Sequence, residues 1–197
     1  MKAYFIQIFL IVFSVVLGLF LSEQIQQNNA KKESMQLLEL IKSEVQENLQ
    51  MMEQVVPYHQ WIYNYLDSVR QEEAFVAGFM EDKSYFAEQL FTKGSFLYRL
   101  PAQDAWDIAK SHPRIAYVPY DKLLILSKIY NQQELTFVPM FELFDLYKAS
   151  DINAPDKAQQ NLESLLDRIK EIVGREELLM YYFEEAKEIL ALDPETE

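Results

Sequence analysis

The chain opens on a stretch with no polar rhythm. From Ala3 it reads AYFIQIFLIVFSVVLGLFLS, where Gln7, Ser14, Ser22 and the Tyr4 hydroxyl are the only polar groups and no charge intervenes. As a helix these residues rise about 30 Å, the hydrocarbon thickness of a bilayer. Residues 3–22 are therefore expected to cross a membrane once. A cleaved secretory signal is the competing reading, but Leu19, Phe20 and Leu21 prolong the apolar run beyond any cut near Val16 and Gly18. A core helix of a small domain would not be apolar on every face.

Beyond Ser22 the pattern becomes helical. No glycine or proline occurs before Pro57, and Leu38, Ile41, Val45, Leu49, Met52 and Val56 step by three or four, with Glu39, Lys42, Gln46 and Glu53 off the stripe. Such a stripe requires a partner. Pro57 is expected to end this helix and a second to run over residues 58–80, burying Trp61, Tyr65, Leu66 and Val69. Ser84 can cap a third that closes at the glycine of residues 93–95. Asp104 can cap AWDIAK, which ends near His112 and Pro113.

Pro119 precedes a longer helix from Tyr120 towards Glu134, which Pro139 interrupts; the pattern resumes over residues 141–147. A loop follows at residues 150–155. The last helix, residues 156–192, carries Leu162, Leu166, Ile169, Val173, Leu179 or Met180, Phe183, Ala186 and Leu190 on one side, and Gly174 can bend it. Only IAYV at residues 115–118 suggests a strand. The expectation is an all-α bundle whose long first and last helices pack antiparallel, with domain residues 23–192 and a disordered tail at residues 193–197.

Composition narrows the function classes. Net charge is −13, and since residues 1–22 hold one lysine and no acid, the remainder carries 17 bases against 31 acids, or −14. Such a domain repels phosphate, so neither nucleic acid nor an anionic lipid surface is expected to be a good partner for it. Hydrophobic residues make up 50% with four glycines and no cysteine, which favours a packed core and excludes disulfides and thiolate chemistry. Lys2 and the terminal amine precede the span while Glu23 follows it, so the N-terminus is placed inside and the domain outside.

VVLGLFLSEQ, LLELIKSEVQENLQ, AWDIAK and YDKLLILSKIYNQQE, in that order, resemble a family of uncharacterised bacterial membrane-anchored helical proteins, over about residues 15–134. In that family one N-terminal span feeds a helix patterned Leu-x-x-x-Ile-x-x-Glu-Leu; here the Glu-Leu pair is Glu44-Val45, and basic residues before the span are nearly absent. The resemblance implies a bacterial inner-membrane protein and supplies no catalytic residues.

Candidate chemistry is sparse. His59 and His112 are the only histidines, and neither lies in the Glu-x-x-His or His-Glu-x-x-His spacing of a metal site. Both are read as capping or partly buried groups. No glycine-rich phosphate loop or Gly-x-Ser-x-Gly elbow occurs, and the acid pairs 72–73, 176–177 and 184–185 are read as solvated faces. No cofactor, metal or enzymatic activity is expected. The feature most suggestive of recognition is PYHQWIYNYL, whose Tyr58, Trp61, Tyr63 and Tyr65 cannot all face one core; with Trp106 they are the candidate ligand or partner contacts, against the alternative that a layered bundle buries them. The expected function is a membrane-tethered interaction or scaffold module that binds a protein or itself. The alternative is a sensing domain that takes a small molecule between helices.

Overall fold

The computed structural model describes residues 2–96 and 99–192; the tail at residues 193–197 lies outside them. Six α-helices and one short 3-10 helix follow in order: α1 (Lys2–Val69), α2 (Glu73–Glu81), α3 (Lys83–Leu90), α4 (Asp104–Ser111), a 3-10 elbow (Pro113–Tyr117), α5 (Tyr120–Lys148) and α6 (Ala158–Leu190). The stretch at residues 115–118, the best strand candidate in the sequence, lies in the elbow and the residue after it: Pro113 supplies a preset first turn, and His112 Nδ1 accepts the Arg114 N–H at 3.2 Å.

α1, α5 and α6 form the frame, with α1 and α5 running one way and α6 the other. One apolar cluster joins Leu38–Met52 positions of α1 to Ile125, Leu126 and Ile129 of α5 and to Leu179, Phe183, Ala186 and Leu190 of α6. The other joins Ile62 and Leu66 to Met140 and Leu143 and to residues 162–173 of α6. α4 and the elbow cover the first cluster, whereas α2 and α3 cover the second with Phe75, Phe79 and Phe86. The first and last helices thus pack antiparallel as expected. Gly78 is where α2 and α3 approach most closely: a Cβ there would lie 2.8 Å from the Tyr85 ring.

Two prolines expected to stop helices do not. Pro57 lies inside α1 on its exposed side, where solvent can hydrate the carbonyl one turn back. Pro139 is buried inside α5, and the carbonyl it deprives, that of Leu135, accepts instead from Arg175 Nη1 of α6 at 3.2 Å. The expected second helix over residues 58–80 is therefore the end of α1, a turn at residues 70–72, and α2. No glycine or proline marks that turn; folding Phe75 and Phe79 back onto the core outweighs the helix propensity of the intervening residues. α6 continues past Gly174 as one helix.

The juxtamembrane stripe finds its partner within the chain, since Leu38, Ile41, Val45, Leu49 and Met52 are all buried. Residues 4–29 are exposed, and their apolar window is 0% buried, long and apolar enough to cross a membrane by length and composition, a test that a signal sequence also passes. Among the described residues nothing covers it. Between Ser22 and Ala30, the first buried residue of α1 among those described, lie residues 23–29, a rise of about 12 Å of bare helix from one to the other.

Candidate functional site

Within the first apolar cluster and at its border with the second lie buried polar side chains that neither cluster could tolerate unless their groups were paired. α1 supplies Glu44, Asn48 and His59; α5 supplies Tyr130, Gln132, Gln133 and Thr136; α6 supplies Glu176. Each is used. The Asn48 side chain brackets Ala102, donating to its carbonyl at 2.7 Å and accepting its N–H at 2.8 Å, while Gln133 donates to the same carbonyl at 3.1 Å. Glu44 accepts the N–H groups of Ala105 and Trp106 at 2.7 and 3.3 Å, and the Tyr130 hydroxyl at 2.6 Å. A carboxylate from α1 thus caps α4, where its negative charge meets the positive end of the helix dipole. Asp104, the expected cap, sits inside the first turn and makes no such bond.

His59 belongs to this set. Its side chain and that of Glu176 are fully buried, with Nδ1 2.7 Å from Glu176 Oε1. Nε2 lies 2.7 Å from the Phe96 carbonyl, which can only accept, so Nε2 carries hydrogen and donates. The ring also stacks on Phe96 at 4.0 Å between centroids. One further proton is shared with Glu176, as imidazolium and carboxylate or as imidazole and carboxylic acid. Burial holds the Glu176 carboxyl above the usual carboxylate range, against the opposing pull of His59. Its second oxygen, Oε2, has no hydrogen-bond partner among the described residues.

His59, but not Glu176, lines a cleft of about 410 Å³ together with Gln54, Val55, Tyr58 and the loop residues Lys93, Gly94, Ser95 and Phe96. The loop is held from α1. Tyr58 Oη donates to the Gly94 carbonyl at 3.0 Å, His59 holds Phe96, and Gly94 adopts φ +128°, a left-handed conformation that a side chain would strain. Burial raises the Tyr58 hydroxyl above the ordinary tyrosine range. Because both His59 nitrogens are occupied, the ring presents a wall rather than a free base. The groups able to meet a guest are Val55, the Tyr58 ring, the exposed Lys93 ammonium and Gln54.

The candidate contacts divide accordingly. Tyr58 lines the cleft, and from it a stack runs along α1 through Trp61 (6.2 Å, 11° between planes) to Tyr65 (5.5 Å, 11°). Trp61 is 36% exposed, so it is not on the buried side assigned to it from sequence; Ile62 takes that place. Tyr63 and Tyr65 are half-buried against the core. Trp106 is 8% exposed and stacks on Tyr130 at 5.2 Å and 4°. It is a packing residue away from the cleft.

The pair His59–Glu176 escaped sequence reading, although a signal existed. Glu176 falls on the register of Ile169, Ile172, Val173, Leu179 and Phe183, and His59 on that of Met52, Ile62, Leu66 and Val69. A polar residue at a core position of each of two antiparallel helices marks a buried pair. Among the described residues, no group of three or more His, Asp or Glu side chains could hold a metal ion. Comparison with family models, with curated proteins and with solved structures finds no match for the chain.

Proposed function

We propose that this chain is a membrane-tethered sensing domain, anchored by residues 3–22 and taking a small amphipathic anion in the cleft beside His59. The observation that carries this reading is the cleft's composition: an apolar floor of Val55, Tyr58 and Phe96 with one exposed cation, Lys93, at its rim. Its volume of about 410 Å³ falls within the ~300–1,000 Å³ of small-molecule sites. A carboxylate or phosphate at Lys93 with an apolar body against Tyr58 would satisfy both walls. The guest would contact α1 and the 93–96 loop together, and α1 runs without interruption from the bilayer to His59, so a change at the cleft would reach the membrane through a single helix. No catalytic step is proposed.

The test is thermal unfolding of the full-length protein in nanodiscs with a panel of small aromatic and aliphatic carboxylates and phosphate monoesters. A guest should raise Tm in proportion to its concentration, and Lys93→Ala and Tyr58→Phe should abolish that rise. If no compound shifts Tm, or if Lys93→Ala responds like the parent, the reading is wrong.

A second reading, the scaffold, is favoured by one observation. Val138 and Phe141 of α5 are each about half exposed beside Leu100, along a groove of about 430 Å³. Crosslinking in membranes would give a discrete protein partner or dimer through this face, and Val138→Glu would remove it. In either reading the domain lies outside a bacterial inner membrane, because the bases nearest the span precede it; a reporter appended to the C-terminus and active only inside would contradict that.

A further inference from the structure

The overall charge of the domain conceals a basic end, and that end is the one nearest the span. The chain descends from Ala102, bonded to Asn48, through Ala105, bonded to Glu44, to Arg114, paired with Glu33 at 2.8 Å. The elbow therefore meets α1 at residues 31–38, where Lys31, Ser34, Met35 and Leu38 face Tyr117, Val118 and Pro119. α6 ends higher up, where Ala191 and Leu192 lie beside residues 39–50 of α1. The elbow is the lowest packed part of the domain.

Residues 31–33 and 107–122 hold five bases (Lys31, Lys32, Lys110, Arg114, Lys122) against three acids (Glu33, Asp107, which pairs with Lys110, and Asp121), a balance of +2, which Glu23 at the end of the span lowers to +1. The domain as a whole carries −14. Lys31, Lys32 and Lys122 make no ion pair among the described residues. Beside them Tyr120 is 78% and Tyr117 44% exposed, and side chains in the first turn of a helix lean towards its N-terminus, here towards the bilayer. Tyrosines and lysines together are the residues that settle at headgroup depth.

The tether sets the distance. The elbow meets α1 from Lys31 upward, nine residues beyond Ser22, so its lower edge stands about 14 Å above the hydrocarbon, of which the headgroup zone fills roughly 5–7 Å. Extended lysine and tyrosine side chains and an ordinary helix tilt of about 20° cover the remainder. We infer that the elbow formed by Pro113–Tyr117, with Lys31, Lys32, Tyr120 and Lys122, docks on the anionic headgroups of the bilayer that anchors the chain, while the acidic bulk of the domain is repelled and stands away from it. The inference rests on membrane insertion of residues 3–22 and not on the cleft.

The chain has no cysteine, so single cysteines label cleanly. Full-length Ala116→Cys, Glu81→Cys and Val12→Cys proteins carry an environment-sensitive fluorophore at the elbow, at the far end of α2 and in the span. Each is reconstituted in nanodiscs of phosphatidylcholine alone or with a third phosphatidylglycerol, and quenched by lipids spin-labelled on the headgroup or the acyl chain. The elbow label should be quenched by headgroup spin labels in anionic discs at least about twofold more than in neutral discs. High salt or Lys31→Glu/Lys122→Glu should remove the difference, and the Glu81→Cys label should never be quenched. Equal quenching at positions 116 and 81 in anionic discs overturns docking while leaving the anchor intact. A label at position 12 that acyl-chain spin labels do not quench overturns the anchor, and docking with it.

Discussion

His59→Phe, Glu176→Leu and their combination interrogate the buried pair directly. His59→Phe leaves the Glu176 carboxyl without its one partner and the Phe96 carbonyl without a donor, a loss expected to cost about 3–5 kcal/mol. Glu176→Leu leaves an imidazole that can become neutral while keeping its bond to Phe96, so only Nδ1 is orphaned, at about 1–3 kcal/mol. In the double variant one orphan remains, the Phe96 carbonyl, and the rest of the site is apolar. Its cost should fall below the sum of the singles by about 2–3 kcal/mol of coupling. The assay is denaturant unfolding of the full-length protein in detergent, followed by the fluorescence of Trp61 and Trp106. For a domain of this size His59→Phe should lower Tm by roughly 6–20 °C, whereas Glu176→Gln, which imitates the protonated acid, should stay within about 1 kcal/mol of the parent. Additive single effects would refute the pair.

Other consequences are equally specific. Arg175→Leu should destabilise by about 1–2 kcal/mol through the orphaned Leu135 carbonyl, and less in a Pro139→Ala background, where the helix again supplies its own donor; equal losses in both backgrounds would exclude that compensation. Gly174→Ala should stabilise by about 0.5–1 kcal/mol, because its Cβ meets nothing within 4 Å and the residue sits mid-helix; a lower Tm would show a contact not seen here. Burial, then the hydrogen bond and charge of Glu44, hold the Tyr130 pKa far above its ordinary 10.0. The folded state therefore keeps a proton that the unfolded chain releases, so stability falls as pH rises past about 10. In an alkaline titration Tyr130 should ionise only as helical circular dichroism is lost; full tyrosinate absorbance with the helices intact would contradict this.

What the sequence disclosed was periodicity. All the positions assigned to the buried side of α6 are buried, with Leu179 filling the position shared with Met180, as are Leu38 to Met52 in α1, since a core stripe is a local property of spacing. The prolines misled because whether a helix survives one depends on who satisfies the lost bond. Arg175 does so for Pro139 from another helix, and solvent can for Pro57, whose ring faces outward. The α4 cap failed for the same reason, as Glu44 lies 61 residues from Ala105. Trp61 is expected on the buried side with Tyr65, Leu66 and Val69, yet Ile62, its neighbour in sequence, takes the buried position. Of the candidate contacts Tyr58 reaches the cleft; the loop of residues 93–96 facing it has no periodicity to read.

The central claim is that α1 is one rigid rod from bilayer to cleft. Nitroxides at Ser22→Cys and Gln54→Cys in nanodiscs measure it by pulsed dipolar spectroscopy: 32 residues of continuous helix give a single narrow distance near 48 Å, at about 1.5 Å per residue. A broad distribution, or a main distance well short of that value, would mean a hinge where the helix leaves the membrane and would contradict the account.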